Sequence, residues 1–428
     1  MASITLHGGW VLTRRGLEKA DVTVEDGKII SVGDGPAAGE RVDCSGLFVV
    51  PGFRDQHTHD LLGLLGEPSP ERIGGVAKSL VRHGVTSAKL ATIAMPPDKL
   101  AGYAEAVKQY MSSPRNGSEG ARVEGLHLEG TFISRECAGA QPREYIVEPW
   151  MPGAKDLLDR LVETGVVRMV NIAAEFDTDL IGYARSKGLL VGCGHSKASA
   201  RQIEEAYKNG LKYVVHITNG SMGQSFKPFD GGGTYEGALT LPLFIEIIVD
   251  GYHVDARYVS DIIERRIQRG RGHEIVAVTD AVFPIDEEVP EGEFRALSVV
   301  GCRSADGGVL LARRFLDLDG EWKEPPANTL FGSLLTMDKA FENLLNMLTI
   351  DHEGFMIDVK ARTFDEAMKT ASAMTSYNQA CLEGLTNVGL VEAGYIADLA
   401  AIGIEGAPGK YRVRVAKSVV GGILHEFS

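Results

Sequence analysis

The chain has 428 residues, more than one hydrophobic core usually holds, so a large barrel with an accessory domain, or two domains, is expected. Its formal net charge of −14 argues against nucleic acid or an anionic membrane as a partner, and its five scattered cysteines contain no CxxC pair that would indicate a disulfide framework or a cysteine zinc cluster. The N-terminus lacks a basic segment followed by an apolar core, and no apolar run approaches the roughly 20 residues of a membrane span, so we expect a cytoplasmic protein.

The two ends of the chain share one pattern and the middle has another. Residues 1–50 alternate short strands with turns, and residues 389–428 do the same, so both termini are expected to form one small β-sandwich domain. Residues 51–388 alternate apolar strand-like runs with amphipathic helical stretches, which predicts an α/β fold with a parallel sheet. Eight strand candidates, the first being GLFVVPGF at 46–53, match a (β/α)8 TIM-type barrel. A Glu- and Gly-rich section near 283–328 is predicted to be a β-hairpin insertion over the barrel mouth.

Chemistry-bearing residues follow several of the predicted strands. The segment PGFRDQHTH places His57 and His59 two residues apart just after an apolar run, so both side chains can reach one metal ion. Four later apolar runs each end in one polar residue, which is how a buried parallel strand delivers a side chain at its carboxyl end. Imidazole and carboxylate ligands suit a divalent ion and indicate a hydrolytic metal centre. The four later residues are Glu129, His195, His216 and Asp280.

Longer motifs carry a family resemblance across nearly the whole chain. PGFRDQHTH, LHLEGTFIS, GHSKAS, HITNG, DGYHV, VTDA and LFGSLLTMDKA resemble, in order and approximate spacing, motifs of the N-acetylglucosamine-6-phosphate deacetylase family in the amidohydrolase superfamily. A glutamate ligand from the third strand is more specific to that family than the HxH pair. The resemblance implies a metal-dependent deacetylase that converts N-acetylglucosamine 6-phosphate to glucosamine 6-phosphate and acetate, and it implies a homodimer.

The resemblance also implies roles for the ligand residues, with one or two divalent ions per chain. Glu129, His195 and His216 would hold the principal ion, and the HxH pair would hold a second ion or support the first. Zinc is expected, with iron, cobalt or manganese as alternatives. Such an ion lowers the pKa of bound water toward about 7 and so supplies hydroxide at neutral pH. Asp280 would take the water proton and return it to the leaving amine.

A sugar phosphate also requires an anion site and contacts to the ring. The resemblance implies that Asn219, Gly220 and Lys227 contact the phosphate, although lysine lacks the bidentate fork of arginine. The chain departs from the family pattern at Thr131, where proline is usual. The further substrate contacts that the resemblance implies are Gln141, His253 and Phe331. Many members have a histidine at the position of Gln141, and members commonly have a small residue at the position of Phe331. Because of these departures, another acyl or sugar group on the substrate stays open.

Three functions remain open from the sequence. The first is deacetylation of the amino-sugar phosphate. The second is hydrolysis of another amide: N-acetylgalactosamine 6-phosphate, an unphosphorylated amino sugar, an N-acyl amino acid or a cyclic amide. These two differ in whether Asn219 and Lys227 face an anion. The third is a catalytically silent barrel scaffold, which is disfavoured because such relatives typically lose metal ligands and this chain keeps the full set.

Overall fold

The computed structural model describes residues 3–33, 35, 38–176 and 179–427. Short strands occupy the N-terminal segment, and β1 pairs with β4 in antiparallel and with β6 in parallel orientation. The resulting four-stranded sheet has the order β5-β4-β1-β6. These strands are β1 (Ile4–His7), β2 (Trp10–Thr13), β3 (Gly16–Lys19), β4 (Val22–Glu25), β5 (Lys28–Val32), β6 (Glu40–Asp43) and β7 (Phe48–Pro51).

Eight parallel strands form the central barrel, each paired with the next one along the chain. The ring closes between its last and first strands, because Asp280 N–H donates to the His57 carbonyl (2.8 Å) and His59 N–H donates to the Ala281 carbonyl (2.7 Å). The predicted (β/α)8 barrel is thereby confirmed. The strands are β8 (Phe53–His59), β9 (Val85–Ala91), β10 (Arg122–Phe132), β11 (Val167–Ile172), β12 (Leu190–Cys193), β13 (Tyr213–Val214), β14 (Phe244–Ile248) and β15 (Ile275–Val278).

The first barrel strand begins later than the sequence pattern predicts. The apolar run at 48–51 is β7, which pairs with β2 outside the barrel. The chain crosses into the barrel at Gly52, where an added Cβ would lie 2.2 Å from Thr86 Cγ2, so only glycine fits this close approach. The HxH pair therefore lies inside β8, not after the strand that the pattern predicts.

Helices surround the barrel. Their starts follow ordinary capping chemistry: the Ser69 side chain accepts from Arg72 N–H at the start of α2, and Ser199 and Gln202 form a capping box at the start of α6. Within the described ranges, every helix is too short or too polar to cross a membrane. The helices are α1 (Leu61–Leu65), α2 (Pro70–Arg82), α3 (Pro97–Met111), α4 (Ala154–Val162), α5 (Asp179–Ser186), α6 (Ala200–Lys208), α7 (Thr234–Thr240), α8 (Ala256–Gln268), α9 (Met337–Leu348), α10 (Phe364–Ser372) and α11 (Asn378–Glu383), with a π-helical turn at Ala373–Tyr377 and 3₁₀ turns at Arg135–Cys137, Arg143–Tyr145, Gly272–Glu274 and Asp286–Glu288.

The section predicted as a β-hairpin insertion forms a four-stranded antiparallel sheet. Its strands are β16 (Phe294–Ala296), β17 (Val299–Arg303), β18 (Leu310–Leu316) and β19 (Trp322–Lys323). The sheet packs against the barrel through Phe294, whose ring lies edge-on to Phe283 (centroids 5.2 Å apart) and to Phe331 (5.0 Å). The second contact is a hydrogen bond, which Tyr252 Oη donates to Asp306 Oδ2 at 2.8 Å.

The C-terminal strands return to the N-terminal ones, as the shared pattern of the two ends predicts. They are β20 (Leu399–Glu405), β21 (Arg412–Val420) and β22 (Ile423–Glu426). Strand β20 pairs with β7 in antiparallel orientation and completes a six-stranded sheet of order β22-β21-β20-β7-β2-β3. Buried apolar side chains from both terminal sheets, such as Leu6, Val24, Ile29, Val49 and Leu399, form one core between them, separate from the core of the barrel.

A charged cluster lies inside the barrel near the starts of β8 and β10. Arg54 and Lys89 are 2% and 1% exposed, so both cations are removed from solvent. Arg54 Nη2 donates to Glu124 (2.7 Å) and to Glu383 (2.6 Å), and Lys89 Nζ donates to Glu383. Two carboxylates therefore balance two buried cations, as buried charge requires.

Candidate metal centre and active site

The predicted ligands and the predicted acid–base residue come together at one end of the barrel. All lie at the carboxyl ends of barrel strands, where catalytic residues of this architecture sit. Each is buried, with at most 7% of its surface exposed. Strand β8 carries His57 and His59, strand β10 carries Glu129, and His195, His216 and Asp280 follow β12, β13 and β15.

Glu129 is the centre of the group. Its Oε1 lies 2.7 Å from His216 Nε2, 3.1 Å from His195 Nε2 and 3.6 Å from His57 Nε2. Its Oε2 lies 3.7 Å from His59 Nε2. One carboxylate therefore faces four imidazoles, and these five side chains are the ones that could hold a divalent ion here.

A second group shares His57 with the first. His59 Nε2 lies 3.0 Å and His57 Nε2 3.7 Å from Asp280 Oδ1. Ligand atoms of His57, Glu129 and His216 lie within 4.8 Å of one another, and so do those of His57, His59 and Asp280. His57 Nε2 and His59 Nδ1 are buried without a hydrogen-bond partner among the described residues. Of these two atoms, His57 Nε2 lies beside the carboxylates of Glu129 and Asp280, and an orphaned imidazole nitrogen in that position fits a divalent ion.

Strained backbone is concentrated at this site. Seven non-glycine residues have positive φ among the described residues, and five of them line the cavity above the ligands. Positive φ costs energy for an L-residue and persists where the surroundings hold it, which occurs most often at functional sites. The five are His195 (47°), His216 (23°), Thr218 (77°), Asp280 (51°) and Asn328 (63°).

The carboxyl groups of Glu129 and Asp280 are both ionised in this environment. Burial opposes the charge on Glu129, but hydrogen bonds from His195 and His216 outweigh it and hold the pKa of Glu129 well below its usual value. Burial likewise opposes the charge on Asp280, and the hydrogen bond from His59 together with the nearby His57 lowers the pKa of Asp280 overall.

Partners on the far side of each imidazole fix its orientation. His195 Nδ1 lies 2.8 Å from the Cys137 carbonyl, and His216 Nδ1 lies 3.2 Å from the Asn219 carbonyl. With Nδ1 directed at a carbonyl, Nε2 is the nitrogen of the neutral imidazole that could bind an ion, and in both residues Nε2 faces Glu129.

A cavity of about 400 Å³ opens above the ligands. Volumes of this order hold small-molecule ligands in other proteins. Asp280 and Glu129 lie on its wall, together with His59, His195 and His216. Its size and its position at the carboxyl ends of the strands make it the candidate active site.

Comparison with known proteins identifies the family. The N-acetylglucosamine-6-phosphate deacetylase of Danio rerio is 31% identical over 347 residues, which cover 77% of this chain and 78% of that protein. The enzyme of the same name from Lysinibacillus sphaericus is 28% identical over 393 residues, which cover 89% and 88% of the two chains. No sequence-family model matches the chain. The chain belongs to the N-acetylglucosamine-6-phosphate deacetylase family. The resemblance carried by its motifs is thereby confirmed.

The fold of this family is found again among solved structures. The crystal structure of N-acetylglucosamine-6-phosphate deacetylase from Pasteurella multocida superposes with a TM-score of 0.78 at 21% identity, covering 99% of this chain and 100% of that one. At this identity the likeness concerns the fold, and it agrees with the barrel and terminal sheets described above.

Most of the substrate contacts expected for a member of this family lie at the cavity. His253 Nδ1 lies 2.6 Å from Asp250 Oδ2, and its Nε2 is 3.8 Å from Asp280 Oδ2, so Asp250 holds the ring against the cavity. Lys227 is exposed on the loop after β13 and does not line the cavity. The expected contacts that do line it are Gln141, Asn219, Gly220, His253 and Phe331.

Gln141, which is expected to contact the substrate, also contacts the candidate ligand Glu129. Its Nε2 donates to Glu129 Oε2 at 2.6 Å, and its Oε1 accepts from Ala94 N–H at 2.7 Å. The side chain therefore spans from the loop after β9 to the central carboxylate. It supports a candidate ligand as well as lining the cavity.

Sequence reasoning missed several cavity residues. Three apolar ones follow β8, β9 and β15, which are neighbours in the ring, so they lie on the same side of the cavity as His59 and Asp280. Their position shortly after a barrel strand is a signal that could have found them. Segment 328–332 arrives from beyond the inserted sheet and carries no such signal. The missed residues include Leu61, Ile93, Thr218, Tyr252, Val282 and Asn328.

Proposed function

We propose that this chain hydrolyses the N-acetyl amide of N-acetylglucosamine 6-phosphate and releases acetate and glucosamine 6-phosphate. The observation that carries the proposal is that a member of this family retains a buried carboxylate–histidine cluster at the cavity. The relatives from Danio rerio and Lysinibacillus sphaericus are named for this reaction. A silent scaffold is disfavoured because such a chain has no reason to keep the strained backbone at His195, His216 and Asp280.

One or two divalent ions would be held by the cluster at Glu129. Glu129, His195 and His216 would hold the principal ion, and the HxH pair would support that ion or hold a second one. When bound, such an ion lowers the pKa of its water to about 7 and polarises the scissile carbonyl. We infer zinc, with iron, cobalt or manganese as alternatives, because the donors are imidazole and carboxylate without thiolate. Elemental analysis of the purified protein identifies the ion.

Asp280 moves the protons of the reaction. Its lowered pKa leaves the carboxylate ionised at neutral pH, so it can accept a proton from the attacking water. The protonated Asp280 carboxyl group can then return that proton to the amide nitrogen as the carbon–nitrogen bond breaks. His59 holds Asp280 Oδ1 at 3.0 Å and so keeps this carboxylate aimed at the reacting atoms.

His253 orients the substrate. Its Nδ1 faces Asp250, which leaves Nε2 directed toward Asp280 and the cavity. The Nε2 atom can bond the substrate carbonyl or a sugar hydroxyl between these groups. The pKa of Asp250 is lowered, because the contact with His253 outweighs the effect of burial, so the carboxylate stays available as the acceptor.

The phosphate is assigned to the loop after β13. Asn219 and Gly220 line the cavity, and Lys227 lies farther along the same loop. Lys227→Ala is expected to raise KM for the phosphorylated sugar much more than for its unphosphorylated analogue. The matched control is Lys360→Ala, which removes an exposed lysine outside the cavity. Equal effects of Lys227→Ala on both substrates contradict the phosphate assignment.

The second candidate function is hydrolysis of another amide, and one observation favours it. No lysine or arginine is among the described residues that line the cavity, and Phe331 stands on the wall with other apolar side chains. A wall without a lysine or arginine suits an unphosphorylated amino sugar or a cyclic amide, whereas an N-acyl amino acid carries an anion, as the sugar phosphates do, and is not favoured by this feature. N-acetylgalactosamine 6-phosphate is the remaining alternative among sugar phosphates.

Release of acetate by metal-loaded protein separates these functions. The substrates are N-acetylglucosamine 6-phosphate, its galactosamine epimer and unphosphorylated N-acetylglucosamine, with Asp280→Asn as the inactive control. A strong preference for the glucosamine phosphate supports the first function. Turnover of the unphosphorylated sugar alone, or of none of the three, moves the substrate to the second class.

We also infer a homodimer in the cytoplasm. The support is the family resemblance for the dimer, and the acidic composition and scattered cysteines for the location. Sedimentation velocity of the metal-loaded protein tests the first inference, and fractionation of the source cells tests the second.

A further inference from the structure

A buried carboxylate outside the predicted motifs contacts His57 of the HxH pair. Glu246 lies in β14 with none of its surface exposed. Its Oε2 is 3.0 Å from His57 Nδ1 and accepts from His216 N–H at 3.3 Å. Its Oε1 is buried without a hydrogen-bond partner among the described residues. Glu246 therefore contacts two candidate ligands and is otherwise poorly solvated.

Such a position is costly for a carboxylate, so its contacts require an explanation. A buried charge is destabilising unless it is paired and hydrogen-bonded, and only one of the two oxygens here is engaged. That oxygen faces two groups, the His216 N–H and His57 Nδ1, and Nδ1 is on the side of the ring away from Glu129 and Asp280. The opposite nitrogen, His57 Nε2, lies 3.6 Å from Glu129 Oε1 and 3.7 Å from Asp280 Oδ1.

We propose that Glu246 is a positioning residue that holds His57 in the tautomer and orientation required to bind an ion. Donation of the Nδ1 proton to Glu246 leaves the Nε2 lone pair free and aimed between the two acceptor carboxylates. Carboxylate–histidine–metal arrangements of this kind raise the basicity of the ligand and fix its ring. The inference rests on the metal-dependent reaction proposed above, but on no particular substrate.

A direct ligand role for Glu246 is disfavoured by its other neighbour. His127 lies beside His57, with ring centroids 4.7 Å apart, and could in principle complete a third ligand group with Glu246. Both His127 nitrogens are already engaged, Nδ1 with the Gln56 carbonyl (3.1 Å) and Nε2 with Tyr213 Oη (2.9 Å). The His127 ring therefore packs against His57 and leaves Glu246 to act through His57.

The test compares metal affinity in two variants and one control. Glu246→Gln keeps the shape and an acceptor oxygen but removes the charge, and Glu246→Ala removes the contact. The control is Asp261→Asn, an equally buried carboxylate on α8 that accepts from Met356 and Ile357 N–H. For each, the Zn²⁺ dissociation constant is measured by chelator competition, and melting temperatures are recorded with and without Zn²⁺.

Glu246→Ala is expected to weaken Zn²⁺ binding about 10- to 100-fold, as loss of such partners does in other metal sites, and Glu246→Gln is expected to fall between it and the parent. The rise in melting temperature on adding Zn²⁺ shrinks accordingly, since that rise follows from the ratio of ion concentration to dissociation constant. Asp261→Asn lowers both melting temperatures equally and leaves the dissociation constant unchanged.

An unchanged dissociation constant in Glu246→Gln and Glu246→Ala, with equal losses of melting temperature in both metal states, overturns the proposal and makes Glu246 a purely structural partner. If Glu246→Ala does not fold, Glu246→Gln alone decides. The measurement needs no substrate, so it stays valid if the deacetylase reaction itself is refuted.

Discussion

Replacing Glu383 by glutamine should destabilise the barrel strongly, because Glu383 neutralises two cations that are removed from solvent. Its carboxylate accepts from Arg54 Nη2 at 2.6 Å, from Gln56 and from Lys89. Glutamine has nearly the same volume, so the change leaves no cavity. It leaves two buried cations, Arg54 and Lys89, with Glu124 as their one remaining carboxylate partner among the described residues. Breaking a buried pair in this way costs about 3–5 kcal/mol of unfolding free energy.

The unfolding free energy lost in Glu383→Gln is also expected to depend on pH. Burial opposes the charge on Glu383, but Lys89 and Arg54 outweigh it and lower its pKa. A carboxyl group whose pKa is lowered in the folded state stabilises the protein at pH values above its ordinary pKa. That contribution is lost as the pH falls through the lowered pKa. The difference between parent and Glu383→Gln should therefore be large at pH 7 and shrink in acid. Glu353→Gln, an exposed glutamate, is the control.

Denaturant unfolding of the metal-loaded protein at pH 7 and at pH 4 measures both effects. A loss below about 1 kcal/mol at pH 7, the range of exposed ion pairs, refutes the reasoning and means that water or rearrangement solvates the two cations.

Three further predictions concern the active site and its surroundings. Asp280→Asn should lower kcat for acetate release about 10²- to 10⁴-fold with a small change in KM, because it removes the proton acceptor. Gln141→Ala should weaken metal binding about tenfold, seen as metal lost on dialysis, because Gln141 orients Glu129. His83 is half-buried, which disfavours its charge, but Asp338 outweighs this and raises the pKa of His83 overall, so its stabilising effect is present below pH 6.5 and lost as the pH rises through the raised pKa. Melting temperatures of the parent and His83→Gln from pH 6 to pH 9 should converge at the alkaline end.

The strand pattern predicted the barrel and most of its candidate centre for a physical reason. A buried parallel strand is apolar on both faces and ends in a loop, so a polar residue at its end stands out, as Glu129, His195 and Asp280 do. The same uniformity explains the error at the first strand. The run at 48–51 is as apolar as a barrel strand, and only the close approach at Gly52 to Thr86, a tertiary contact, separates the terminal sheet from the barrel.

Residues that reach the site from within a barrel strand, or from the segment after the inserted sheet, could not be predicted from the strand pattern. Glu246 sits within an apolar strand, and its contact with His57 depends on the closure of the ring, which leaves only β15 between β14 and β8. Asn328 reaches the cavity after a four-stranded insertion whose path the local pattern does not encode. Such positions are set by tertiary structure alone.

The reacting groups and the groups that would select the substrate lie on different parts of the fold. The groups that perform the proposed reaction lie on or directly after strands, where the barrel fixes their positions; the groups that would recognise a phosphate lie on the long loop after β13. Lys227 on that loop is exposed, and the described cavity wall carries no lysine or arginine of its own. Substitution of Asp280 or Glu129 therefore tests whether an amide is hydrolysed, whereas substitution of Lys227 tests which amide is chosen. A chain that loses turnover with Asp280→Asn but is indifferent to Lys227→Ala would be an amidohydrolase of the family whose substrate does not depend on this lysine for its anion.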